Sequence, residues 1–258
     1  MAKKMAVSER QLQRKLKAIV DYNPSDYLRE YRLKKAAQRL KDGYQVSQVT
    51  DEFALATTCD VTDVDAVASF VNQAVERMGG LTTVIANAGT AGPTALIEDI
   101  APEDWAQTIA VNLTGQYALC RAAIPYLKAH NKGSVILMSS AAGRLGLPMR
   151  SPYAAAKWGV VGLKETLAME LGPHSITVNA ILPGSVKGPR MDAVLTAKAK
   201  ASGISLDAAR NAEVQNTSLG RMIEPDEIAE LAWFVASPAA RSISGQSLGL
   251  CGNFETLR

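Results

Sequence analysis

From about Phe53 onward, short apolar segments alternate along the chain with longer segments that have helical periodicity. The short segments are rich in small and β-branched residues, and several are apolar throughout, so both of their sides must be covered. This alternation predicts an α/β fold with a doubly wound, Rossmann-like parallel sheet that has helices on both faces. The predicted strands are ALATTCDV ending at Asp60, LTTVIANAG, GSVILMSS, ITVNAILPG and SLGLCGN, and the predicted helices are residues 63–79, 102–130, 152–172 and 225–237.

The first fifty residues differ in composition from the rest of the chain. They contain 12 lysine and arginine residues and 5 aspartate and glutamate residues, a net charge of +7, whereas the remaining 208 residues have a net charge of −4. Their only glycine is Gly43, and helical periodicity runs through residues 7–20 and 25–42. We therefore expect a small all-α segment at residues 1–50 and an α/β domain at residues 51–258.

Composition disfavours several classes of protein. No apolar run approaches the ~20 residues that a helix needs to cross a bilayer, and the N-terminus lacks the apolar stretch of a signal peptide. The three cysteines lie far apart and the chain has two histidines, so neither a disulfide framework nor a metal site is expected. The expected location is the cytoplasm, with no membrane or metal as partner.

Tyr153 and Lys157 are the most informative pair of side chains. They lie four residues apart in a predicted helix and therefore project from one face, as many solvated pairs also do. An ammonium group beside a phenol stabilises the phenolate, so the phenol can exchange a proton with a carbonyl or alcohol oxygen near neutral pH. Ser140 follows an apolar strand, at the edge where active-site residues of open α/β sheets gather, and its hydroxyl can hold the same oxygen.

Short motifs lie in a fixed order at the strand ends and in the helices between them. They are Asp60-Val61 in CDVTD, Asn87-Ala88-Gly89 in IANAGT, Asn112 in VNLTG, Ser140 in LMSSAAG, Tyr153 and Lys157 in YAAAK, and Pro183-Gly184 in NAILPGSV. In the order and spacing of these motifs, residues 53–258 resemble the short-chain dehydrogenase/reductase family. The resemblance implies an oxidoreductase that uses NAD or NADP to transfer a hydride between nicotinamide and a small ketone or alcohol substrate. It also implies a homo-oligomer, a dimer or tetramer, that pairs through the helices at 102–130 and 152–172.

The resemblance also implies a role for each matching residue. Tyr153 would be the general acid/base, Lys157 would tune it and hold the nicotinamide ribose, and Ser140 would orient the substrate oxygen. Asn112 would hold a water in a proton relay to Lys157. Cofactor contacts would come from Asp60 and Val61 at the adenine, from Asn87, Ala88 and Gly89 along the adenosine ribose and pyrophosphate, and from Tyr153, Lys157, Pro183 and Gly184.

The chain departs from the family at the start of the fold. The family begins with a strand, a TGxxxGxG loop and a helix that bind pyrophosphate through backbone N–H groups, and no glycine precedes Gly43 here. The first βαβ unit with its glycine loop is therefore missing. The loss of about three charge-assisted hydrogen bonds, ~1.5–3 kcal/mol each, predicts impaired cofactor binding. We expect the strand ending at Asp60 to move beside the strand ending at Asn87 and fill the vacant place.

Residues 185–211, after Pro183-Gly184, are expected to be a long polar loop that acts as a lid. Gly188 stands there where the family often has a threonine that contacts the carboxamide. Lys187, Arg190 and Lys198 favour either an anionic or polyhydroxylated substrate, or simply a solvated surface.

Residues 6–50 resemble part of the AraC-type helix-turn-helix DNA-binding domain. The matching stretch, SERQLQRKLKAIVDYNPSDYLREYRLKKAAQRLKDGYQVSQV, corresponds to one recognition helix, the linker helix and the start of a second helix-turn-helix. It implies DNA contacts by Arg10, Gln11, Arg14 and Lys15, on a basic face that attracts phosphate nonspecifically. Because both families are incomplete near residues 48–53, we expect a chimeric chain. Three interpretations remain open. They are an NAD(P)-dependent alcohol dehydrogenase or ketoreductase, an AraC-like DNA-binding fragment fused to an inactive dehydrogenase remnant, and a folding-compromised or purely structural remnant.

Overall fold

The computed structural model describes residues 57–254, and the chain from Cys59 onward forms one compact unit. The expectations for residues 1–50, including the helix-turn-helix and the DNA contacts of Arg10, Gln11, Arg14 and Lys15, lie outside the described residues. Between residues 57 and 254, no helix is long and apolar enough to cross a membrane.

From residue 57 to residue 254, four parallel strands form a sheet in the order β1-β2-β3-β4. They are Thr83–Ala86 (β1), Gly133–Met138 (β2), Ile176–Pro183 (β3) and Ser247–Leu250 (β4). Nearly every residue of β2 and β3 is buried, which explains why their sequences are apolar without interruption. The predicted parallel sheet is confirmed, and the carboxyl ends of its strands meet at one edge.

Seven α-helices surround this sheet in the described part of the chain. The predicted helices at 63–79, 152–172 and 225–237 are confirmed to within about a residue at each end, and residues 102–130 are helical with a π-helical turn at Ala110–Thr114. The helices are Val64–Met78 (α1), Pro102–Ile109 (α2), Gly115–His130 (α3), Ser151–Leu171 (α4), Pro189–Ser202 (α5), Leu206–Gln215 (α6) and Pro225–Ala236 (α7), and 3-10 turns lie at Ile97–Asp99, Ala141–Gly143, Gly172–His174 and Pro238–Ala240.

Helices cover both faces of the sheet. On one face, α1, α3 and α4 pack against alternate strand residues in a core that includes Val71, Leu127, Val160 and Val178. On the other face, α7 packs against the intervening strand residues, with Val235 in the core beside β2 and β3. This two-sided cover is the doubly wound arrangement that the apolar strands predicted.

The strand expected to end at Asp60 is not present at residues 57–60. The Asp60 carboxylate accepts hydrogen bonds from the N–H and the hydroxyl of Thr62 at 2.9 and 2.8 Å, and Asp63 caps the start of α1. The chain therefore turns here, because short polar side chains satisfy its backbone groups locally. The rest of the predicted strand lies outside the described residues. Within them β1 pairs with β2 alone, so the expected pairing beside the strand ending at Asn87 is not observed there.

The expectation of a long loop at residues 185–211 is wrong. These residues form α5 and most of α6. Pro189 occupies the first turn of α5, and the Ser205 hydroxyl caps α6 by accepting a hydrogen bond from the Ala208 N–H at 3.1 Å. The alanine-rich sequence of this segment has high helix propensity, and Leu195, Ala199 and Ala209 are buried. Its lysines reflect the solvated side of amphipathic helices.

Candidate active site

The predicted catalytic residues lie at the edge of the sheet where the carboxyl ends of the strands meet. Ser140 directly follows β2 and begins the 3-10 turn Ala141–Gly143, and its hydroxyl oxygen accepts a hydrogen bond from the Ala142 N–H at 3.2 Å. Because that bond uses an acceptor position, the Ser140 O–H can still donate to a ligand. Tyr153 and Lys157 lie in the first two turns of α4, and the Lys157 Nζ lies 5.6 Å from the centroid of the Tyr153 ring.

Lys157 is a buried cation. Its side chain lies at the end of β2, where Nζ donates a hydrogen bond of 2.7 Å to the Met138 carbonyl oxygen. Burial lowers its pKa from 10.5 to about 8, and the positive charge of Arg190 acts in the same direction. An amine with this pKa stays protonated near pH 7, yet it can release its proton more readily than an exposed lysine.

Asn112 connects the helices to the loop after β1. It is fully buried in the π-helical turn, and its Nδ2 donates to the Thr90 and Thr108 carbonyls at 3.2 and 3.0 Å. Its Oδ1 accepts from the Thr90 N–H at 3.2 Å. The π-helical turn adds a residue to the helix, and such turns are frequent at functional sites. Asn112 thereby holds the loop of Gly89 against the helical layer.

Gly89, Asn112 and Lys157 come together at one point. A Cβ on Gly89 would lie 2.8 Å from Asn112 Oδ1, 3.8 Å from Lys157 Nζ and 3.9 Å from Arg190 Nη1. A side chain at this position would therefore crowd all three groups, which glycine avoids. The neighbouring Asn87 and Ala88 are exposed at the end of β1.

The other predicted cofactor residues lie around the same edge of the sheet. Val61 contacts the start of α3, where a Cβ on Gly115 would lie 3.0 Å from its Cγ2. The Gly184 N–H donates to the Leu250 carbonyl at 3.0 Å and so joins Pro183 and Gly184, at the end of β3, to the end of β4. Asp60 is exposed, and hydrogen bonds from Thr62 lower the pKa of its carboxyl group.

Ser139 is a positioning residue that the motifs did not single out. Its hydroxyl donates a hydrogen bond of 2.8 Å to the Lys157 backbone carbonyl, which joins the end of β2 to α4. The fit is close, since a Cβ on Gly143 would collide with Ser139 Oγ and lie 2.8 Å from the Lys157 carbonyl oxygen. The 3-10 turn therefore rests directly on the backbone of α4.

Gly143→Ala is expected to destabilise the fold by about 2 kcal/mol, because the new methyl group must displace the backbone of α4 at Lys157. Urea unfolding measures the change. The matched control is Gly146→Ala, since nothing lies within 4 Å of a Cβ at Gly146. Equal unfolding midpoints for the two variants would show that the turn does not rest on α4 as described.

Gln116 is a second residue that sequence reasoning missed. It is buried, and its Nε2 donates to the Asn112 and Met138 carbonyls at 3.1 and 3.0 Å. The Met138 carbonyl thus accepts from both Gln116 and Lys157. The spacing of Gln116 and Lys157 in the sequence does not indicate this shared acceptor, because the two side chains come from different helices and meet at the end of β2.

Lys187, Arg190 and Lys198 have two kinds of partner. Lys187 forms an ion pair with Glu224, and Lys198 forms one with Glu213, so these two lysines have carboxylate partners on the protein. Arg190 instead reaches toward the site, where its Nη1 donates to the Gly89 carbonyl at 3.3 Å. The lysines are solvated surface charges, and the arginine faces the site.

The chain is similar to known reductases and dehydrogenases. A protein-family model described as enoyl-(acyl carrier protein) reductase matches residues 27–252. The match begins before the domain boundary expected near residue 53 and includes part of the segment that resembles the AraC-type domain. Trans-4-hydroxycyclohexanecarboxylate dehydrogenase of Sinomonas cyclohexanicum is 40% identical over 203 residues, covering 78% of this chain and 71% of that protein. The 3-oxoacyl-(acyl-carrier-protein) reductase of Thermotoga maritima is 34% identical over 193 residues, covering 75% and 74%. A crystal structure of NAD+-bound xylitol dehydrogenase superimposes with a TM-score of 0.76 at 26% identity, covering 80% of this chain and 82% of that one.

Proposed function

This chain belongs to the short-chain dehydrogenase/reductase family, and from that premise we propose that it transfers a hydride between NAD or NADP and a ketone or alcohol substrate. The solved structures similar to it include an NAD+ complex and an NADPH complex. Tyr153 would be the general acid/base, Lys157 would tune it, and Ser140 would orient the substrate oxygen.

One observation carries the proposal. The ammonium of Lys157 is buried beside the ring of Tyr153 and is anchored to the Met138 carbonyl at 2.7 Å. This arrangement places a proton-carrying amine beside a phenol that can exchange a proton with a carbonyl or alcohol oxygen. A purely structural lysine would gain more from a carboxylate partner, and among the described residues Lys157 has none.

The reaction follows from these positions. In the reductive direction the carbonyl oxygen accepts a proton from the Tyr153 hydroxyl while the carbonyl carbon gains a hydride, and the product is the alcohol. The nicotinamide supplies that hydride when bound, or accepts it in the reverse direction. Ser140 donates a hydrogen bond to the same oxygen and holds it beside the phenol. The proton returns to Tyr153 through Lys157, which exchanges it with a water held at the remaining lone pair of Asn112 Oδ1.

The residues around Gly89 fit the nicotinamide ribose. Glycine at position 89 has no Cβ to occupy the space beside Lys157, and the Lys157 ammonium is a donor for ribose hydroxyls. Asn87 and Ala88 are exposed along the end of β1 and would contact the adenosine side, with Val61 and Asp60 nearer the adenine. Pro183 and Gly184 would border the nicotinamide from the end of β3.

The phosphates of the dinucleotide would be held less well. The sequence has no TGxxxGxG loop, since Gly43 is its only glycine before Gly79. Fewer backbone N–H groups are therefore available to the pyrophosphate than in the family pattern. We propose that the chain retains the chemistry of the family with a raised dissociation constant for NAD or NADP.

Two measurements on the purified full chain test this function. Fluorescence titration with NADH and NADPH measures binding, and the absorbance of the reduced nicotinamide follows turnover with a panel of ketones at saturating nucleotide. We expect binding in the range of about 0.1 to 1 mM and slow but measurable ketone reduction. Binding without turnover of any ketone or alcohol would contradict the catalytic part, and loss of binding at millimolar nucleotide would contradict the proposal as a whole.

We also propose that the chain self-associates through α3 and α4. Large apolar side chains are exposed on these helices, with Tyr117 47% exposed on α3 and Trp158 and Met169 52% and 82% exposed on α4. Two neighbouring helices with such side chains offer an apolar surface of the kind that subunit interfaces bury.

A further inference from the structure

Arg150 is a buried cation next to the catalytic tyrosine. It immediately precedes α4, one helical turn before Tyr153, and the residue is only 7% exposed. The guanidinium carbon lies 5.1 Å from the centroid of the Tyr153 ring. One guanidinium N–H, at Nη2, donates to the Ala91 carbonyl at 2.5 Å, whereas the buried Nε has no hydrogen-bond partner.

This burial is costly unless an anion compensates it. A buried charge needs both a counterion and hydrogen-bond partners, and a neutral carbonyl supplies only one of these. Within residues 57–254, no carboxylate forms a salt bridge with Arg150. Glu213 attracts the guanidinium from a distance, but its own oxygens are held by the Ser185 hydroxyl and by Lys198 Nζ. The arginine is therefore a donor that the described protein leaves partly unsatisfied.

A second arginine lies near both Lys157 and Arg150. Arg190, in the first turn of α5, donates to the Gly89 carbonyl and lies near enough to Arg150 that the two positive charges repel. Burial chiefly, and this repulsion in addition, lower the pKa of Arg150. Two like charges held together without a carboxylate between them favour a ligand that brings negative charge.

The backbone before Arg150 is strained in a way that fixes its direction. Met149 has a φ of 64°, which a bulky side chain rarely adopts, and its carbonyl accepts a hydrogen bond from the Ala95 N–H at 3.0 Å. Non-glycine residues in this region cost about 1 kcal/mol or more and persist mainly where they orient a functional group. Here the strained residue points the arginine at the loop of Ala91 and at Tyr153.

We propose that Arg150, supported by Arg190, binds a carboxylate of the substrate, so that the chain acts on hydroxy acids and keto acids. The inference rests on the proposed function, because it names the substrate class of the same site. Lys157 lies toward Gly89 and Asn112, where the nicotinamide ribose would bind, and it follows Tyr153 by about one helical turn, whereas Arg150 precedes Tyr153 by about one turn. An anion at Arg150 would therefore lie near Tyr153, the group that exchanges the substrate proton. A guanidinium is well suited to it, since its planar N–H groups bind carboxylates in pairs.

Matched ketones test the substrate class. The probes are 3-oxobutanoate, 4-oxopentanoate and 3-oxocyclohexanecarboxylate, each compared with its uncharged amide. For the best of these pairs we expect the parent chain to show a kcat/KM about a hundredfold higher with the acid than with the amide. Arg150→Met should remove that preference by slowing reduction of the acid, with reduction of the amide changed less than about threefold. Equal use of acid and amide by the parent chain, or an acid preference that survives in Arg150→Met, would overturn the inference and leave the proposed function standing.

Matched variants separate this effect from a loss of folding or of general positive charge. Arg241→Met removes an exposed arginine whose side chain bonds only the Pro238 carbonyl among the described residues, and it should leave the acid preference unchanged. Arg150→Lys keeps the charge and should retain part of the preference. Circular dichroism shows whether Arg150→Met folds, and if it does not, Arg150→Lys and Arg190→Met carry the comparison.

Binding distinguishes the remaining outcomes. If the parent chain reduces no ketone, the proposed function fails, and calorimetry with cyclohexanecarboxylate tests Arg150 by itself. We expect that acid to bind the parent at least tenfold more tightly than it binds Arg150→Met, and equal binding would overturn the inference. Titration with NADPH tests the other source of negative charge, the phosphates of the dinucleotide. Weaker NADPH binding by Arg150→Met, with the acid preference intact, would assign the arginine to the cofactor and contradict the inference.

Discussion

A Tyr153→Phe protein is expected to reduce ketones at less than about a hundredth of the parent rate. The phenol is the group beside Lys157 that can both donate and accept the substrate proton, and the change removes its hydroxyl alone. The ring, whose centroid lies 5.1 Å from the Arg150 guanidinium carbon and 5.6 Å from Lys157 Nζ, keeps its place. Steady-state turnover at saturating nucleotide measures the loss, and fluorescence titration should show nucleotide binding nearly unchanged.

Tyr117→Phe is the matched control for this variant. It removes the same atom from a tyrosine that is 47% exposed on α3 and keeps the ring that a subunit interface would bury, so its turnover should equal that of the parent chain. If Tyr153→Phe retains more than about a hundredth of the parent rate, another group transfers the proton and the mechanism proposed for Tyr153 is wrong.

Lys157→Met is expected to abolish turnover while it makes the folded chain more stable at neutral pH. Burial lowers the pKa of this amine from 10.5 to about 8. Below about pH 8, Lys157 is protonated in both the folded and the unfolded chain, and burying the ammonium costs roughly 3 kcal/mol of folding free energy. Methionine removes that cost and one hydrogen bond worth ~1 kcal/mol, for a net gain of about 2 kcal/mol. The Met138 carbonyl keeps its bond from Gln116 in the variant.

The contribution of Lys157 to the free energy of unfolding changes with pH in a definite direction. Between about pH 8 and pH 10.5 the unfolded chain holds the Lys157 proton and the folded chain does not, so this group makes stability rise with pH. Cys120 acts in the opposite direction above pH 9, because burial raises the pKa of its thiol to about 12. The measurement is therefore the difference in unfolding free energy between parent and Lys157→Met, from urea curves at pH 7 and pH 10. We expect that difference to shrink toward zero at pH 10, and a difference that is independent of pH would show that the folded amine titrates normally.

The elements from α1 onward were predictable because their periodicity reflects the sheet and its cover. β2 and β3 are apolar throughout since helices cover both of their faces, and the helices at 63–79, 152–172 and 225–237 begin at Asp63, near Pro152 and at Pro225, which are typical residues for a helix start. The strand expected at Asp60 failed in the described residues, because hydrogen bonds within Asp60–Thr62 compete with strand formation there. The polarity of residues 185–211 concealed two amphipathic helices whose buried residues are mostly alanine, a residue that hydropathy barely distinguishes from a loop.

The candidate site was predictable only where its residues recur at fixed spacing in one segment. Tyr153 and Lys157 share a helix face, and Ser140 ends a recognisable strand, so the sequence indicated all three. Ser139, Gln116 and Arg150 were missed because their partners, the carbonyls of Lys157, Met138 and Ala91, are backbone atoms of other segments. Every residue has a backbone carbonyl, so a contact to the backbone of a distant segment leaves no pattern of residue types in the sequence.

The π-helical turn at Ala110–Thr114 sets the phase between α2 and α3. Each residue in an α-helix advances the side-chain direction by about 100°, so one extra residue shifts every position of α3 relative to α2 by that angle. Deleting any single residue of this turn would restore a regular helix and rotate the side chains of α3 by that angle relative to those of α2. Thr108, Asn112 and Gln116 would then no longer meet the loop of Thr90 and the end of β2 together. The helix thus tolerates many replacements of side chains, but its length through this turn is fixed to the residue.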